Sequence, residues 1–259
     1  MRNIRLVIAY DGTDFCGWQR QSGPGAGGAR TVQGLLERAL KKIHRGPVHL
    51  TGSGRTDSGV HAAGQAANFY TGIQHMDAQR FVPALNGLLP RDLRVVSAAA
   101  APTSFHARFD ARSRTYRYFF ICGRRALPFE SRFALQLRRA PDLALLNGYC
   151  RLLRGEFDCT VFASPGDASK SRRRYIFNAS FFMEGEKLVF EIRANAFLWK
   201  MVRSLAGTLL FYEEKKTAPA DFGRLAISGR RELAGPTLPP QGLFLWKVEY
   251  APVFRAQSG

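Results

Sequence analysis

The stretch Gly54-Arg55-Thr56-Asp57-Ser58-Gly59-Val60-His61-Ala62 places one carboxylate between a guanidinium two residues before it and an imidazole four residues after it. Four glycines fall between residues 52 and 64, which disfavours a continuous helix or strand here. Residues 49–51 before the stretch and the alternating residues 66–70 after it predict two β-strands that hold a loop at both ends. Rigid elements often present reactive side chains on such a loop.

Asp57 supports two interpretations on residue type alone. An aspartate in a glycine-rich loop most often caps a helix or forms a turn with its own backbone, whereas a carboxylate can also act as a nucleophile. The pattern Gly-Arg-Thr-Asp-x-Gly-Val-His-Ala at residues 54–62 resembles the signature of the TruA family of tRNA pseudouridine synthases. That resemblance implies that Asp57 is the nucleophile and that Arg55 helps to hold the displaced nucleotide.

The composition predicts a folded protein with an anionic partner. The chain has 259 residues, of which 46% are hydrophobic and 12% aromatic, enough for one or two domains with a large core. Its 38 Lys and Arg against 20 Asp and Glu give a net charge of +18, and such a surplus favours nucleic acid as partner. A membrane surface is the competing partner, but the basic residues lie in short clusters and not beside an apolar segment. We therefore expect RNA binding and no membrane association.

Several other chemistries and locations are disfavoured by what the sequence lacks. No stretch is long and apolar enough for a transmembrane span, and the N-terminus lacks the features of a secretion signal, so we expect a cytoplasmic protein. The four cysteines form no Cys-x-x-Cys pair, so neither a zinc site nor a disulfide framework is predicted. The stretch 22–28 formally satisfies G-x-G-x-x-G, but Pro24 interrupts it and no strand abuts it, so we predict a loop and no dinucleotide site. We expect neither a metal nor a cofactor.

The order of apolar periodicities predicts an α+β fold in two halves. Between residues 4 and 100 it indicates strand, helix, strand, strand, helix and strand, and a helix and a hairpin follow in the second half. We place the boundary so that residues 1–122 carry the Asp57 loop and residues 123–259 carry a helix with a buried arginine. The family resemblance implies two α/β halves with largely antiparallel sheets, sandwiches similar to RNA-recognition modules, that face each other across a basic cleft.

Arginines and tyrosines alternate along the predicted strand at 111–120. Arg112, Arg114, Tyr116 and Tyr118 therefore share one face of that strand. Such a face is typical of a solvated edge strand, and it is equally typical of a surface that stacks bases and neutralises phosphates. The segment resembles the family's Tyr-x-Tyr block, which implies that the ring of Tyr116 packs against the target uracil.

The segment 195–210 has a helical period and is apolar on nearly all sides, with Arg203 as the exception. A buried arginine needs a carboxylate, a phosphate or several carbonyls, unless the end of its side chain reaches solvent. The segment resembles the family's F-L-x-x-M-V-R block, whose arginine pairs with the nucleophilic aspartate. The resemblance therefore pairs Arg203 with Asp57, although Trp199-Lys200 is not the most common filling of the block.

The densest basic cluster is Lys170-Ser171-Arg172-Arg173-Arg174. Charge runs before a strand are usually solvated, but Arg172, Arg173 and Arg174 can also contact the RNA backbone. Both interpretations stay open at the level of the sequence.

Taken over nearly the whole chain, the resemblance implies an isomerase that forms pseudouridine at positions 38, 39 and 40 in the anticodon stem-loop of tRNA. It also implies a homodimer. The reaction exchanges an N1–C1′ bond for a C5–C1′ bond within one nucleotide, so it needs no cofactor. Two other hypotheses remain: a non-catalytic RNA-binding protein with the same basic sheet faces, and a nucleoside glycosidase or base-exchange enzyme that also uses one aspartate.

Overall fold

The structure is a computed structural model that describes residues 1–21 and 28–251. Residues 22–27 of the glycine-rich stretch, where we predicted a loop, lie outside the described residues. The strands of the described residues are β1 (Arg2–Tyr10), β2 (Leu50–Gly52), β3 (His61–Thr71), β4 (Leu93–Ala101), β5 (Ala111–Ile121), β6 (Leu135–Gln136), β7 (Gly155–Asp158), β8 (Arg173–Glu184), β9 (Lys187–Ala194) and β10 (Leu243–Tyr250). The α-helices are α1 (Val32–His44), α2 (Phe81–Asn86), α3 (Leu143–Leu152), α4 (Met201–Glu214) and α5 (Pro219–Ala226).

The strands form one sheet in the order β4-β1-β3-β10-β5-β9-β8-β7, with β2 added to β3 and β6 added to β5. All pairs are antiparallel except β10 with β3 and β6 with β5. The predicted α+β class with largely antiparallel pairing is therefore confirmed. Strands from both predicted halves belong to this single sheet, because β10, the last strand, lies between β3 and β5. The division at residue 122 stays a prediction.

Two hydrophobic cores lie side by side on the helical face of the sheet. One contains residues of β1, β3 and β4 together with α1 and α2, and the other contains residues of β5, β8 and β9 together with α3, α4 and α5. Strand β10 contributes Leu245 to the first core and Leu243 to the second. Leu245 also pairs with Ala62 of β3 on one side and with Tyr116 of β5 on the other, so β10 brings the end of the Asp57 loop close to Tyr116.

Local sequence signals explain most helix starts. Helix α1 begins after Thr31, whose side chain accepts a hydrogen bond from the backbone N–H of Gly34, the role typical of a threonine at this position. Asp142 caps α3 in the same way by accepting from the backbone N–H of Leu145. Pro83 lies in the first turn of α2, where its missing N–H breaks no helical hydrogen bond.

The helix predicted over 195–210 is wrong at its start, since α4 begins only at Met201 and continues to Glu214. Lys200 has a positive φ of 58°, which no helical residue can adopt. The side chain of Asn195 accepts hydrogen bonds from the backbone N–H groups of Tyr175 and Ala196. These bonds hold the start of the segment 195–200, between β9 and α4, in an irregular turn. Between Asn195 and Met201 only Leu198 is buried, and it packs into the core from a loop.

Candidate active site

The Asp57 loop, residues 53–60, joins β2 to β3 and is held by hydrogen bonds to side chains of β1 and β3. The Ser53 hydroxyl donates to Gln65 Oε1 (2.6 Å), and Gln65 Nε2 donates to the carbonyl of Gly54 (3.0 Å). The hydroxyls of Tyr10 and Thr56 lie 2.8 Å apart. Gly17 has a φ of 85°, and a Cβ there would lie 2.7 Å from the carbonyl oxygen of Thr56. The loop is therefore clamped between β3 and the segment after β1, which fixes where Asp57 stands.

Both carboxylate oxygens of Asp57 accept hydrogen bonds from the C-terminal half of the chain. Arg203 Nη1 lies 3.0 Å from Asp57 Oδ2, and Trp199 Nε1 donates to Oδ1 at 3.0 Å. The side chains of Asp57 and Arg203 are 22% and 13% exposed, so the ion pair is largely shielded and still open to the cavity above it. Arg203 Nε also donates to the carbonyl of Leu238 at 2.7 Å, which fixes the guanidinium plane.

The contact of Trp199 with Asp57 was not predicted from the sequence. The backbone N–H of Trp199 donates to Asp167 Oδ2 (2.5 Å), and its carbonyl accepts from the N–H of Ser164 (3.1 Å). Its ring lies against Gly166, where a Cβ would come within 2.7 Å. The available signal was its unusual place in the F-L-x-x-M-V-R block, but a residue type alone does not reveal which way an indole points.

Tyr116 is half-buried in the cavity wall, between the two cores. Its ring meets that of Phe197 edge to face, with centroids 5.0 Å apart. Burial, together with the nearby Tyr10 and Asp57, raises the pKa of Tyr116 far above the usual value for a phenol. Its hydroxyl therefore stays neutral at physiological pH and can donate a hydrogen bond.

Two of the arginines at this site, Arg55 and Arg114, differ in their surroundings. Arg55 is exposed at the wall of the cavity. Arg114 instead donates to the carbonyls of Ala111 and Asn195 through Nη1 and to those of Ser53 and Arg108 through Nη2. Burial lowers the pKa of Arg114, with smaller contributions from its neighbours. It acts as a cross-link between the Asp57 loop, β5 and the segment before α4.

The basic cluster at 170–174 is only partly brought to the cavity. Arg174 lines it, with Nη1 donating to the carbonyls of Ser171 and Arg173. Arg173 pairs with Glu156 at 3.1 Å, and Arg172 is half-buried outside the cavity wall. The RNA-backbone role of all three stays a prediction.

His61, the first residue of β3, lies away from Asp57, on the opposite face of the sheet. Its Nδ1 accepts from the backbone N–H of Gly12 (3.0 Å) and its Nε2 lies 2.9 Å from the carbonyl of Arg132, to which it donates. The ring stacks on Phe244 with centroids 4.6 Å apart. Burial lowers the pKa of His61, against the opposing effect of Asp11. His61 is therefore a neutral structural residue that joins three segments.

The cavity above Asp57 has a volume of about 1230 Å³. Its lining includes Asp57, Arg203 and Trp199 together with Arg55 and Tyr116. In residues 1–21 and 28–251, no cluster of three or more His, Cys, Asp or Glu side chains could bind a metal ion. No helix in the same ranges is long and apolar enough to cross a bilayer.

The fold and the site together define an α+β protein in which a single ion-paired carboxylate faces a basic cavity large enough for a nucleotide. The sequence profile of a family described as tRNA pseudouridine synthase matches residues 6–110 and 149–251. The chain belongs to this family, whose enzymes are isomerases that act on tRNA.

Individual relatives cover almost the entire chain. It is 55% identical over 249 residues to the tRNA pseudouridine synthase A of Treponema denticola, a match that spans 96% of this chain and 93% of the relative. The identity to the tRNA pseudouridine synthase A of Treponema pallidum is 48% over 91% of this chain and 84% of the relative. The enzyme of that name from Caldicellulosiruptor saccharolyticus is 39% identical over 96% of this chain and 100% of its own length.

Proposed function

We propose that the protein converts uridine to pseudouridine at positions 38, 39 and 40 in the anticodon stem-loop of tRNA, with Asp57 as the reacting carboxylate. The observation that carries this proposal is the Asp57–Arg203 ion pair, which joins residues 146 positions apart at the wall of the cavity. Membership of the tRNA pseudouridine synthase family supports the substrate and the reaction type. The choice of stem-loop positions rests on the resemblance of the quoted motifs.

The reaction requires one nucleophile and no external electrons. The N1–C1′ bond breaks, a C5–C1′ bond forms, the proton on C5 leaves, and N1 gains a proton. Asp57 can attack C1′, attack C6 or remove the C2′ proton, and each route needs an ionised carboxylate held at a fixed angle. Arg203 and Trp199 supply that orientation, because each occupies one oxygen and leaves the remaining lone pairs free.

The cavity wall around Asp57 supplies groups that can hold the detached base. The ring of Tyr116 can pack against the uracil, and its neutral hydroxyl can relay the proton that leaves C5. The exposed guanidinium of Arg55 can pair with a phosphate of the displaced nucleotide. No step requires a metal or a cofactor.

Asp57→Asn tests the proposal because it keeps the size of the side chain and removes its charge. We expect pseudouridine formation to be lost while tRNA affinity stays within a few-fold, since affinity comes from many phosphate contacts. Product and substrate have the same mass, so turnover is measured by carbodiimide labelling, beside tRNA binding and thermal unfolding. Asp14→Asn is the matched control, because Asp14 is 69% exposed and lies outside the cavity.

The outcomes separate the alternatives. Turnover within a few-fold of the parent in Asp57→Asn would show that Asp57 is not the reacting group. A parent protein that binds tRNA and forms no pseudouridine is a non-catalytic RNA-binding protein, and release of free uracil identifies a glycosidase. Joint loss of binding and thermal stability in the variant assigns Asp57 a structural role in the loop.

We also propose that the protein acts in the cytoplasm as a homodimer, in which each cavity receives part of the tRNA. This proposal rests on the family resemblance. Sedimentation equilibrium of the free protein and of its tRNA complex tests it, and a monomer in both states would exclude it.

A further inference from the structure

An aromatic pair, the half-buried His106 and the exposed Phe109, lines the same cavity as Asp57 and takes no part in the proposed chemistry. The side chain of Phe109 is 75% exposed, and its ring stacks on that of His106 with centroids 4.3 Å apart and an interplanar angle of 27°. Single exposed apolar residues are common on protein surfaces and need no explanation. Phe109 differs because its ring is already stacked on one face and stands at the wall of a basic cavity.

The turn that carries this pair is rigid. The backbone N–H groups of Arg108 and Phe109 both donate to His106 Nδ1, at 3.1 and 3.3 Å. The N–H of His106 donates to Asp110 Oδ2 at 2.9 Å, which closes the turn from the other side. An aromatic ring held in this way loses little conformational entropy when a ligand stacks on it.

The turn is also joined to the Asp57 loop. One nitrogen of Arg114, Nη2, donates both to the carbonyl of Arg108 (2.9 Å) and to the carbonyl of Ser53 (2.8 Å). The position of Phe109 relative to Asp57 is therefore set by a buried guanidinium and not by a flexible linker. A ligand group on Phe109 and a nucleotide at Asp57 would therefore be held at a fixed distance and orientation relative to each other.

The size and charge of the cavity identify the kind of ligand. Its volume of about 1230 Å³ exceeds the roughly 300–1,000 Å³ of a typical small-molecule site, so there is room for more than one nucleotide. Its lining includes Arg55, Arg108, Arg174 and Lys200 in addition to the paired Arg203. Positive charge interleaved with exposed aromatic rings is the pattern that binds unpaired RNA.

We propose that His106 and Phe109 form a stacking platform for an unpaired base adjacent to the target uridine. Withdrawing the target nucleotide from its stack leaves a neighbouring base without a partner, and the ring of Phe109 can replace that partner. The guanidinium carbon of Arg108 lies over the Phe109 ring, 5.9 Å from its centroid, and this side chain can turn outward to neutralise the phosphate of the stacked nucleotide. This proposal rests on the proposed function, because it assumes that a uridine is drawn toward Asp57.

Phe109→Leu tests the platform, since it keeps apolar bulk and removes the aromatic face. For a synthetic anticodon stem-loop RNA we expect the affinity to fall from about 5-fold to about 150-fold, the range for loss of one base–aromatic stack. Phe109→Trp should bind as well as the parent or better. Phe129→Leu is the matched control, because Phe129 is 70% exposed and lies outside the cavity, and its affinity should not change.

A second measurement identifies the stacked base. Single abasic sites are placed at each nucleotide flanking the target, and the affinity of each RNA is measured with the parent and with Phe109→Leu. We expect one abasic position to weaken binding to the parent and to have little further effect in the variant. The two losses do not add, because the missing base and the ring of Phe109 are the two partners of one stacking contact. Equal losses in both proteins at every position would overturn the platform.

The binding experiments need no turnover, so they can fail or succeed independently of the proposed function. If the parent forms no pseudouridine, the proposed function fails, whereas the abasic pattern still reports on the platform. If Phe109→Leu is monomeric where the parent is dimeric and shows no coupling to any abasic site, Phe109 is a subunit contact and the platform is excluded.

Discussion

At the scale of single residues, the site depends on two hydrogen-bond donors, Arg203 and Trp199, that each bind one oxygen of the Asp57 carboxylate. Arg203 supplies charge to Oδ2 of Asp57, whereas Trp199 supplies a neutral N–H to Oδ1. An indole N–H can only donate, so Oδ1 must act as an acceptor in this arrangement. Trp199 is therefore a positioning residue for Asp57, in addition to being part of the cavity wall.

Trp199→Phe removes the donor and keeps an aromatic ring against Gly166. A hydrogen bond to a charged group contributes about 1.5–3 kcal/mol, so we expect kcat to fall about 10- to 150-fold if the bond is kept in the transition state. The KM for tRNA should change much less. Single-turnover rates measure the effect, and Trp199→His, which restores a ring N–H, should recover part of the rate. Equal rates for the parent and the Phe variant would show that the indole does not position Asp57.

At the scale of elements, helix α4 connects the site to the second core at three points. Arg203 in its first turn reaches Asp57, Gly207 touches the segment 235–240, and Glu213 in its last turn is bound by Arg139. The segment 235–240 also supplies the Leu238 carbonyl to Arg203. The packing of one helix therefore determines the position of the Asp57–Arg203 ion pair.

Gly207→Ala tests this packing. Alanine is favoured over glycine in a helix by about 1 kcal/mol, but a Cβ at Gly207 would lie 1.8 Å from the carbonyl oxygen of Pro236. We therefore expect a net loss of about 1–3 kcal/mol of unfolding free energy, together with lower turnover as the Leu238 carbonyl moves. In the control Gly223→Ala, the nearest atom is 3.4 Å away, so stability should be unchanged or higher. Urea denaturation compares the two, and equal stabilities would contradict the close approach.

Glu213 makes the stability of α4 depend on pH. Its side chain is 1% exposed, and burial alone would raise its pKa, but hydrogen bonds from Arg139, the backbone of Asp142 and Lys216 lower the pKa to about 2. A carboxyl whose pKa is lowered on folding stabilises the protein above its unfolded pKa, near 4.5, and loses that contribution as the pH falls toward 2.

Glu213→Gln removes this dependence. At neutral pH we expect the variant to be less stable by on the order of 3 kcal/mol. Between pH 7 and pH 3 the difference from the parent should shrink by about 2 kcal/mol, because Glu213 takes up a proton in the unfolded parent over that range and stays ionised in the folded parent. Urea denaturation at the two pH values measures this, and a constant difference would show that Glu213 does not titrate as described.

At the scale of the whole molecule, the net charge of +18 governs tRNA binding. We expect log affinity to fall linearly with log salt, by about 0.9 per phosphate neutralised in duplex and about 0.7 in single strands. Arg174→Ala should lower the slope by about 0.7, since Arg174 lines the cavity, whereas Arg173→Ala should have a smaller effect because Arg173 is paired with Glu156. Binding isotherms at several salt concentrations test both variants. A tRNA affinity that does not change with salt would show that phosphate contacts do not drive binding.

The sequence by itself determined the local elements and singled out the candidate site residues. Periodic apolar positions and caps such as Thr31 are properties of neighbouring residues, so α1 and the hairpin of β8 and β9 were predictable. The motif around Asp57 and the isolated Arg203 could be singled out for the same reason, because the unusual residues stand within short segments.

Only the tertiary structure decided how these segments meet. No periodicity specifies that β10 lies between β3 and β5, since the pairing of strands depends on contacts between residues far apart in the chain. The start of α4 was mispredicted because long-range hydrogen bonds and the positive φ of Lys200 override an apolar period. The bond from Trp199 to Asp57 crosses 142 positions, and it exists because two cores packed on one sheet bring a loop and a helix end together.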